Sequence, residues 1–219
     1  MQFVATLDQT LLQRADLCFS PLLEIVSLNI SVDLSDVSNV IFTSANAVQF
    51  VENGRGRSAY CVGKRTAERA VESGWKVENI SETADDLVAA LSQNTSLGTV
   101  THIAGVHRRG EIGQRLNAAG LKVRTQAVYD QRTLPLSDDA KAAIGGNSRV
   151  ILPLFSPRTA AQLHLEAQKF SQLHVLAISS AVAEIVQDLP LGEVRIAQAP
   201  TALAMRMGVE KLLRENSLP

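Results

Sequence analysis

The chain has 219 residues, enough for one large domain or two small ones. Its residues are 46% hydrophobic but only 4% aromatic, so the predicted core consists mainly of Val, Leu, Ile and Ala. A net charge of −1 argues against a broad nucleic-acid-binding surface, and the lack of an apolar run of about 18 residues argues against a membrane-spanning helix.

The termini and cysteines bear on the compartment. The opening Met-Gln-Phe-Val-Ala-Thr lacks the basic segment and apolar core of a signal peptide. Cys18 and Cys61 lie far apart, each in an apolar run, and are predicted to be buried free thiols. The four histidines show no spacing typical of a metal site. We therefore expect a cytoplasmic protein without a metal centre.

Short β-branched runs alternate with Ala-rich amphipathic runs through most of the chain. Such alternation predicts parallel sheets with helices on both faces. The predicted strands are Val40–Thr43, Ala59–Val62, Lys76–Ile80, Thr99–Ala104, Leu121–Tyr129, Ser148–Phe155, His174–Ile178 and Val194–Gln198.

Several predicted helices have recognisable ends. Two of them end at Gly74 and Gly120, because glycine readily adopts the left-handed conformation that closes a helix. Thr83 and Ser137 are predicted N-caps, each followed by acidic residues in the first turn. The last helix is predicted to begin at Pro200, a residue suited to the first helical position.

Two extended stretches carry no helix of their own, Ser20–Leu28 and Arg124–Arg132. They bracket one group of strands and helices, so we interpret them as two strands that connect two lobes. The chain would leave the first domain, build the second and return. The predicted division is domain 1 at residues 1–22 and 134–219, domain 2 at 30–124, and connecting strands at 23–29 and 125–133.

One local pattern occurs twice, at Val40–Phe50 and at Ile151–Leu163: an apolar run, a serine and an Ala-rich stretch. A second such unit follows each copy, at Tyr60–Ala67 and Leu176–Ala183. These turns lie where parallel strands end and helices begin, and ligands bind at that edge. Free N–H groups there can bind an anion, although a hydroxyl can also simply cap its own helix. The repeat predicts two similar lobes that grip an anionic molecule.

The candidate anion-binding residues lie in or beside these turns: Thr43, Ser44, Gly63, Lys64, Thr66, Ser156, Arg158, Ser179 and Ser180. For Lys64 and Arg158, ordinary solvation is the alternative to ligand attraction. Tyr129 ends a predicted connecting strand. It is either an aromatic anchor of that segment or a phenol that donates a hydrogen bond to a leaving group.

Together these residues resemble the uroporphyrinogen-III synthase family. The resemblance extends over about Pro21 to Leu213 and depends on the order and spacing of motifs that are weak singly. The matching segments are Phe42–Val48 (F-T-S-x-x-A-V), Val62–Ala67 (V-G-x-x-T-A), Gly105, Leu116–Gly120, Val128–Tyr129, Phe155–Arg158 and Pro200–Ala204.

The resemblance implies an α/β fold of two similar parallel-sheet domains, flavodoxin-like and HemD-like, joined by a two-stranded hinge. It implies that the substrate is hydroxymethylbilane, a linear tetrapyrrole with acetate and propionate groups. The implied reaction loses water, closes the macrocycle and inverts ring D to give uroporphyrinogen III, without a metal or organic cofactor. Tyr129 would assist departure of the substrate's hydroxyl. Ser44, Thr66, Ser156 and Thr201, with nearby backbone amides, would hold the carboxylates of the substrate. A monomer is expected, with at most transient contact with hydroxymethylbilane synthase and closure of the domains on binding.

Two departures from the family pattern stand out. Met1–Arg14 lacks the T-R-P turn with which the family usually opens, so either the first unit is trimmed or the chain starts late. In the second half, Ser179 and Val182 replace the expected glycine and threonine.

Two other functions stay open at this point. A two-lobed sensor for an anionic small molecule would share the fold without the chemistry. A flavin- or phosphate-binding protein is disfavoured, because no Gly/Ser/Thr-rich phosphate loop is present.

Overall fold

A computed structural model describes residues 3–108, 110–166 and 170–215 of the chain. It divides into two compact units, one formed by residues 1–24 and 133–219 and the other by residues 25–132. Within the described ranges, no helix is both long enough and apolar enough to cross a membrane.

The unit of residues 25–132 is built on a six-stranded sheet in the order β1-β6-β5-β2-β3-β4. Each pair with a determined register, from β6–β5 through β3–β4, is parallel. The predicted α/β class is confirmed, and the strands agree with prediction to within a few residues. Their bounds are β1 Leu23–Ser27, β2 Asn39–Phe42, β3 Ser58–Val62, β4 Lys76–Ser81, β5 Thr99–Gly105 and β6 Lys122–Thr133.

The helices of this unit follow the strands and end as predicted. Gly74 and Gly120 have positive φ angles of 78° and 94° just beyond two of them. The Thr83 hydroxyl accepts a hydrogen bond from the Asp86 N–H, and the Asp86 carboxylate accepts from the Thr83 N–H, a complete capping box. The helices are α2 Ala45–Val48, α3 Lys64–Glu72, α4 Ala84–Ser92 and α5 Ile112–Ala118, with a 3-10 turn at Thr95–Leu97.

Apolar side chains cover both faces of this sheet. Phe42 and Trp75 belong to one cluster, where their rings meet edge to face with centroids 5.2 Å apart. Ile41, the residue before Phe42, belongs to the cluster on the other side together with Leu87 and Leu116. Alternate residues of β2 thus enter different cores, as expected for a strand buried on both faces.

The unit of residues 1–24 and 133–219 contains a parallel three-stranded sheet in the order β7-β8-β9. Val175 and Leu176, adjacent in β8, belong to two different hydrophobic clusters, so helices pack on both faces. Ser137 caps its helix as predicted. The elements are α1 Gln9–Leu12, α6 Asp138–Gly145, β7 Val150–Leu154, α7 Pro157–Glu166, β8 Phe170–Ala177, α8 Ser180–Val186, β9 Leu191–Ile196 and α9 Ala202–Glu215, after a 3-10 turn at Val4–Thr6.

Two predictions about single residues are wrong. Helix α9 begins at Ala202 rather than at Pro200, because the Thr201 hydroxyl accepts a hydrogen bond from the Ala204 N–H and makes Thr201 the N-cap. Cys18 is exposed, whereas Cys61 is buried as expected. Burial raises the pKa of the Cys61 thiol to about 12.

Gly54 offers a test of the packing around Trp75. A Cβ added at Gly54 would lie 2.6 Å from Trp75 Cγ and 2.8 Å from its Cα, too close for either backbone to tolerate. Trp75 is only 3% exposed and cannot easily move away. We expect Gly54→Ala to lower the free energy of unfolding by roughly 1–3 kcal/mol, measured by denaturation followed by circular dichroism.

Gly145→Ala is the matched control for this substitution. No atom lies within 4 Å of the Cβ position at Gly145, which is at the end of α6. We expect little change or a small gain in stability there, because alanine favours the helix. A Gly54→Ala protein as stable as the Gly145→Ala protein would contradict the proposed packing constraint.

Candidate functional site

In the unit of residues 25–132, the predicted turns lie side by side at one edge of the sheet. Phe42, the last residue of β2, pairs with Cys61 of β3 and with Ile103 of β5. Thr43 and Ser44 therefore follow one strand while Gly63 follows its neighbour, at the carboxyl ends where parallel sheets bind ligands.

The Ser44 hydroxyl is already used within the protein. Ser44 is the N-cap of α2, and its side chain accepts a hydrogen bond from the Asn46 N–H at 3.2 Å. The Thr43 hydroxyl lies 3.3 Å from Nε2 of His102 on β5. Both side chains are half-buried. Their hydroxyls consequently shape the turn, and a ligand would meet them together with the surrounding amides.

The Gly63 turn presents backbone rather than side-chain donors. Gly63 has a φ of 82° and lacks a capping side chain. Its carbonyl accepts from the N–H groups of Thr66 and Ala67, so the Lys64 and Arg65 N–H groups at the start of α3 have no hydrogen-bond partner in the described part of the chain. Thr66 is buried, whereas the Lys64 side chain is 87% exposed and 3.9 Å from Glu68.

Tyr129 lies within β6 and is only 4% exposed. Its ring stacks on Phe50 with centroids 5.8 Å apart, and its carbonyl accepts a hydrogen bond from the Val106 N–H at 2.9 Å. The Tyr129 hydroxyl has no hydrogen-bond partner among the described residues, yet it is not one of the fully enclosed polar atoms. The phenol is therefore a rigidly held ring whose hydroxyl is free to donate.

A register shift places Tyr129 in this position. Ala104 of β5 pairs with Ala127 of β6, but the next residue, Gly105, pairs with Tyr129 and skips Val128. Val128 and Tyr129 are both buried in the same hydrophobic cluster. In a regular strand adjacent side chains face opposite ways, so a one-residue bulge turns Tyr129 onto this face.

His102 is a residue that sequence analysis did not single out. It is 2% exposed, and its Nδ1 has no partner within the described ranges. Burial, assisted by the positive charge of Arg108, lowers the pKa of His102 to about 4, so the ring is neutral at physiological pH. Its contact with Thr43 is a pairing between neighbouring strands, and the only sequence signal for it was a polar residue inside the apolar run of β5.

A second polar pair flanks Tyr129. Nε2 of His107 lies 3.2 Å from Oδ1 of Asp130, the residue after Tyr129, and both side chains are partly exposed. An Arg108 Nη1 atom lies 3.5 Å from the Gly105 carbonyl oxygen. Arg109, the other cation of this loop, lies outside the described residues.

In the other unit, three turns also share one sheet edge. Leu154 of β7 pairs with Ala177 of β8, which pairs with Ile196 of β9, so the strand ends are level. Predicted site residues follow each end: Ser156 and Arg158, then Ser179 and Ser180, then Thr201.

The hydroxyls of these turns differ in how they are used. Ser156 accepts from the Thr159 N–H at 3.1 Å and Thr201 from the Ala204 N–H at 3.2 Å, so both cap their helices. Ser179 stands at the N-cap of α8, but its side chain makes no capping bond, and Ser180 is exposed. Arg158 is half-buried in the first turn of α7.

Among the described residues, no group of three or more His, Cys, Asp or Glu side chains could hold a metal ion. The polar groups at these edges include backbone amides, hydroxyls, the Tyr129 phenol and the charged side chains of Lys64, Arg158 and the His107–Asp130 pair.

Comparison with known proteins agrees with this geometry. A family model described as HEM4, uroporphyrinogen-III synthase HemD, matches residues 11–206. The fold is similar to uroporphyrinogen-III synthetase from Helicobacter pylori, with a TM-score of 0.69 and 18% identity over 87% of this chain and 91% of that one. It is also similar to a mutant uroporphyrinogen III synthase from the extremely thermophilic bacterium Thermus thermophilus, with a TM-score of 0.53 and 14% identity over 94% of each chain. No curated protein sequence matches the chain.

The depressed pKa of His102 predicts a pH-dependent loss of stability. The unfolded chain binds a proton at His102 near pH 6.5, whereas the folded protein does so only near pH 4. The contribution of His102 to stability is therefore complete above pH 6.5 and lost as pH falls towards 4, by up to about 1.4 kcal/mol per pH unit.

A His102→Gln variant isolates this effect, because glutamine does not titrate and other groups contribute equally to both proteins. We expect unfolding free energies measured from pH 7 to pH 4.5 to fall more steeply for the parent than for the variant. Parallel pH profiles for the two proteins would contradict a buried neutral His102.

Proposed function

Because this chain belongs to the uroporphyrinogen-III synthase family, cyclising lyases of tetrapyrrole biosynthesis, we propose that it converts hydroxymethylbilane to uroporphyrinogen III. The observation that carries this proposal is the family match over residues 11–206. The reaction removes water, closes the macrocycle and inverts ring D through a spiro intermediate.

The proposed role of Tyr129 is to assist departure of the hydroxyl from the substrate's terminal hydroxymethyl group. The pyrrole nitrogen lone pair expels the hydroxyl while the phenol transfers a proton to it, so that it leaves as water. The proton that the closed macrocycle loses as its pyrrole becomes aromatic again restores the phenol. A phenol with an unpartnered hydroxyl on a fixed ring is suited to this task. Since the pyrrole itself drives the departure, strong acid catalysis is unnecessary.

The larger contribution that we propose is conformational. The substituted carbon of ring D must attack, rather than the free position, so the enzyme has to restrict the chain of four rings. The acetate and propionate groups provide the handles. In the proposed complex, the amides at the start of α3 and the turns at Ser156, Ser179 and Thr201 bind these carboxylates.

The remaining features of the proposal follow the family resemblance. We propose a cytoplasmic monomer that needs no cofactor, with only transient contact with hydroxymethylbilane synthase, and a hinge at residues 23–29 and 125–133. Sedimentation of the purified protein tests the monomer. Small-angle scattering with and without bound product tests the hinge.

One assay separates the proposed activity from the alternatives. Freshly made hydroxymethylbilane is supplied, the products are oxidised, and isomers I and III are resolved by chromatography. Excess isomer III over the spontaneous isomer I supports the synthase. A protein that binds the substrate and leaves isomer I dominant would instead be an anion sensor, and a yellow preparation would indicate a flavin protein.

Tyr129→Phe tests the phenol directly. The substitution keeps the ring and its stacking on Phe50 but removes the hydroxyl. We expect turnover to fall by about tenfold without being abolished, less than the roughly 10²-fold or more that general acids commonly contribute. Turnover equal to that of the parent would refute the proposed role.

Serine substitutions separate ligand binding from capping. Because the Ser179 hydroxyl has no capping bond, we expect Ser179→Ala to raise KM about fivefold, equivalent to one hydrogen bond of about 1 kcal/mol, with the melting temperature unchanged. Ser156→Ala should raise KM and also lower stability by about 1 kcal/mol, since Ser156 caps α7.

Ser137→Ala is the matched control. Ser137 caps α6, which follows β6 and not a strand of the β7-β8-β9 sheet. Its removal should lower stability to a similar extent as Ser156→Ala and leave KM unchanged. A KM change that tracks stability across the three variants would argue against carboxylate binding at Ser156 and Ser179.

A further inference from the structure

We propose that Gly105 is a positioning residue for Tyr129: its missing Cβ, together with the bulge at Val128, determines where the phenol hydroxyl lies. This inference rests on the proposed function, because it concerns the group that assists departure of the substrate's hydroxyl.

The first support is the space at Gly105. A Cβ added there would lie 2.6 Å from Tyr129 Cζ, 2.8 Å from Cε2 and 3.0 Å from the hydroxyl oxygen. These are closer than the contacts that real Cβ atoms make, and all three atoms belong to the reactive end of the ring. The φ of Gly105 is outside the left-handed region, so glycine is needed here for space rather than for backbone conformation.

The second support is that the ring has no easy alternative position. Phe50 stacks on Tyr129 at 5.8 Å, and the tyrosine is only 4% exposed. The hydrogen bond from the Val106 N–H holds the backbone of Tyr129 against the end of β5. A methyl group at residue 105 would therefore displace the hydroxyl itself, rather than push aside a loose side chain.

The third support is the bulge. If β5 and β6 stayed in register after Ala104 and Ala127, Gly105 would pair with Val128. The skipped residue is not left without bonds, because the Val128 carbonyl accepts a hydrogen bond from the Leu28 N–H at 3.0 Å on the other side of β6. The bulge thus brings Tyr129 beside the one residue type that leaves room for its ring.

The test is Gly105→Ala, assayed for turnover, KM and isomer ratio. We expect turnover to fall severalfold, up to the roughly tenfold loss expected when Tyr129→Phe removes the hydroxyl altogether, with KM little changed. The share of isomer I should rise, because substrate that is not turned over cyclises spontaneously. Parent-like turnover in a folded Gly105→Ala protein overturns the proposal.

Gly113→Ala is the matched control for general destabilisation. A Cβ at Gly113 would lie 2.5 Å from the Thr125 hydroxyl oxygen and close to Val123, in the same unit but not against Tyr129. It should lower the melting temperature while turnover, measured well below that temperature, stays at the parent value. An equal loss of turnover in both variants would overturn a specific role for Gly105.

A double variant shows whether Gly105 acts through the phenol. In a Tyr129→Phe background the hydroxyl is already absent, so adding Gly105→Ala should have almost no further effect on turnover. We expect a change of less than about twofold, which is the deviation from additivity that even independent sites show. The same fold-loss in both backgrounds would overturn the proposal.

A further variant covers the case in which Gly105→Ala fails to fold. Gly105→Ala combined with Phe50→Leu removes the ring that stacks on Tyr129 and gives the tyrosine room to move, so the protein should fold with the hydroxyl displaced and turnover still low. Recovery of parent turnover would overturn the inference. The proposed function fails separately, if the unmodified protein forms no excess of isomer III.

Discussion

The parallel pairing of strands is the constraint on which the candidate site depends. In one unit Phe42 is paired on both sides, with Cys61 and with Ile103, and in the other Leu154, Ala177 and Ile196 are level. Because these paired strands end at one edge of their own sheet, the helices that follow them begin at that edge too, and the first N–H groups of those helices lack intrahelical partners. A row of donors therefore arises from backbone geometry before any side chain is specified, which suits a substrate whose charge is distributed over many carboxylates.

The junction of β5 and β6 is where this regular pairing is interrupted. One skipped residue places Val128 and Tyr129 in the same core and brings a phenol beside a glycine. Bulges are common near active sites because they re-aim a side chain without unfolding the sheet. The neighbouring His107–Asp130 pair and the buried His102 add polar groups near the bulge, so this irregular part of the sheet is also polar.

Much of the fold could be predicted from local pattern, because the deciding interactions were local. The glycine helix ends at Gly74 and Gly120 and the caps at Thr83 and Ser137 depend on residues a few positions apart. The start of α9 was misplaced because two adjacent residues, Pro200 and Thr201, both favour a helix start, and the hydroxyl cap prevailed. Contacts between strands were beyond prediction: the Thr43–His102 pair and the bulge depend on register, which a single sequence does not encode in any short window.

The site residues also combine features that the local sequence reveals with features that it does not. A serine at a strand-to-helix turn could be recognised from sequence, but whether its hydroxyl is free could not. Ser156 proved to be engaged with Thr159, whereas Ser179 makes no capping bond, and the difference depends on side-chain orientation.

The placement of aromatic residues has a spectroscopic consequence. Trp75 is the only tryptophan, and the two tyrosines, Tyr60 and Tyr129, lie with it in the unit of residues 25–132. All three are buried in that unit's cores. Tryptophan and tyrosine fluorescence therefore reports on this unit alone, because phenylalanine is the only aromatic residue type in the other unit. An emission change during titration with ligand or denaturant can be assigned to one half of the molecule without any added label, and circular dichroism supplies the signal of the whole.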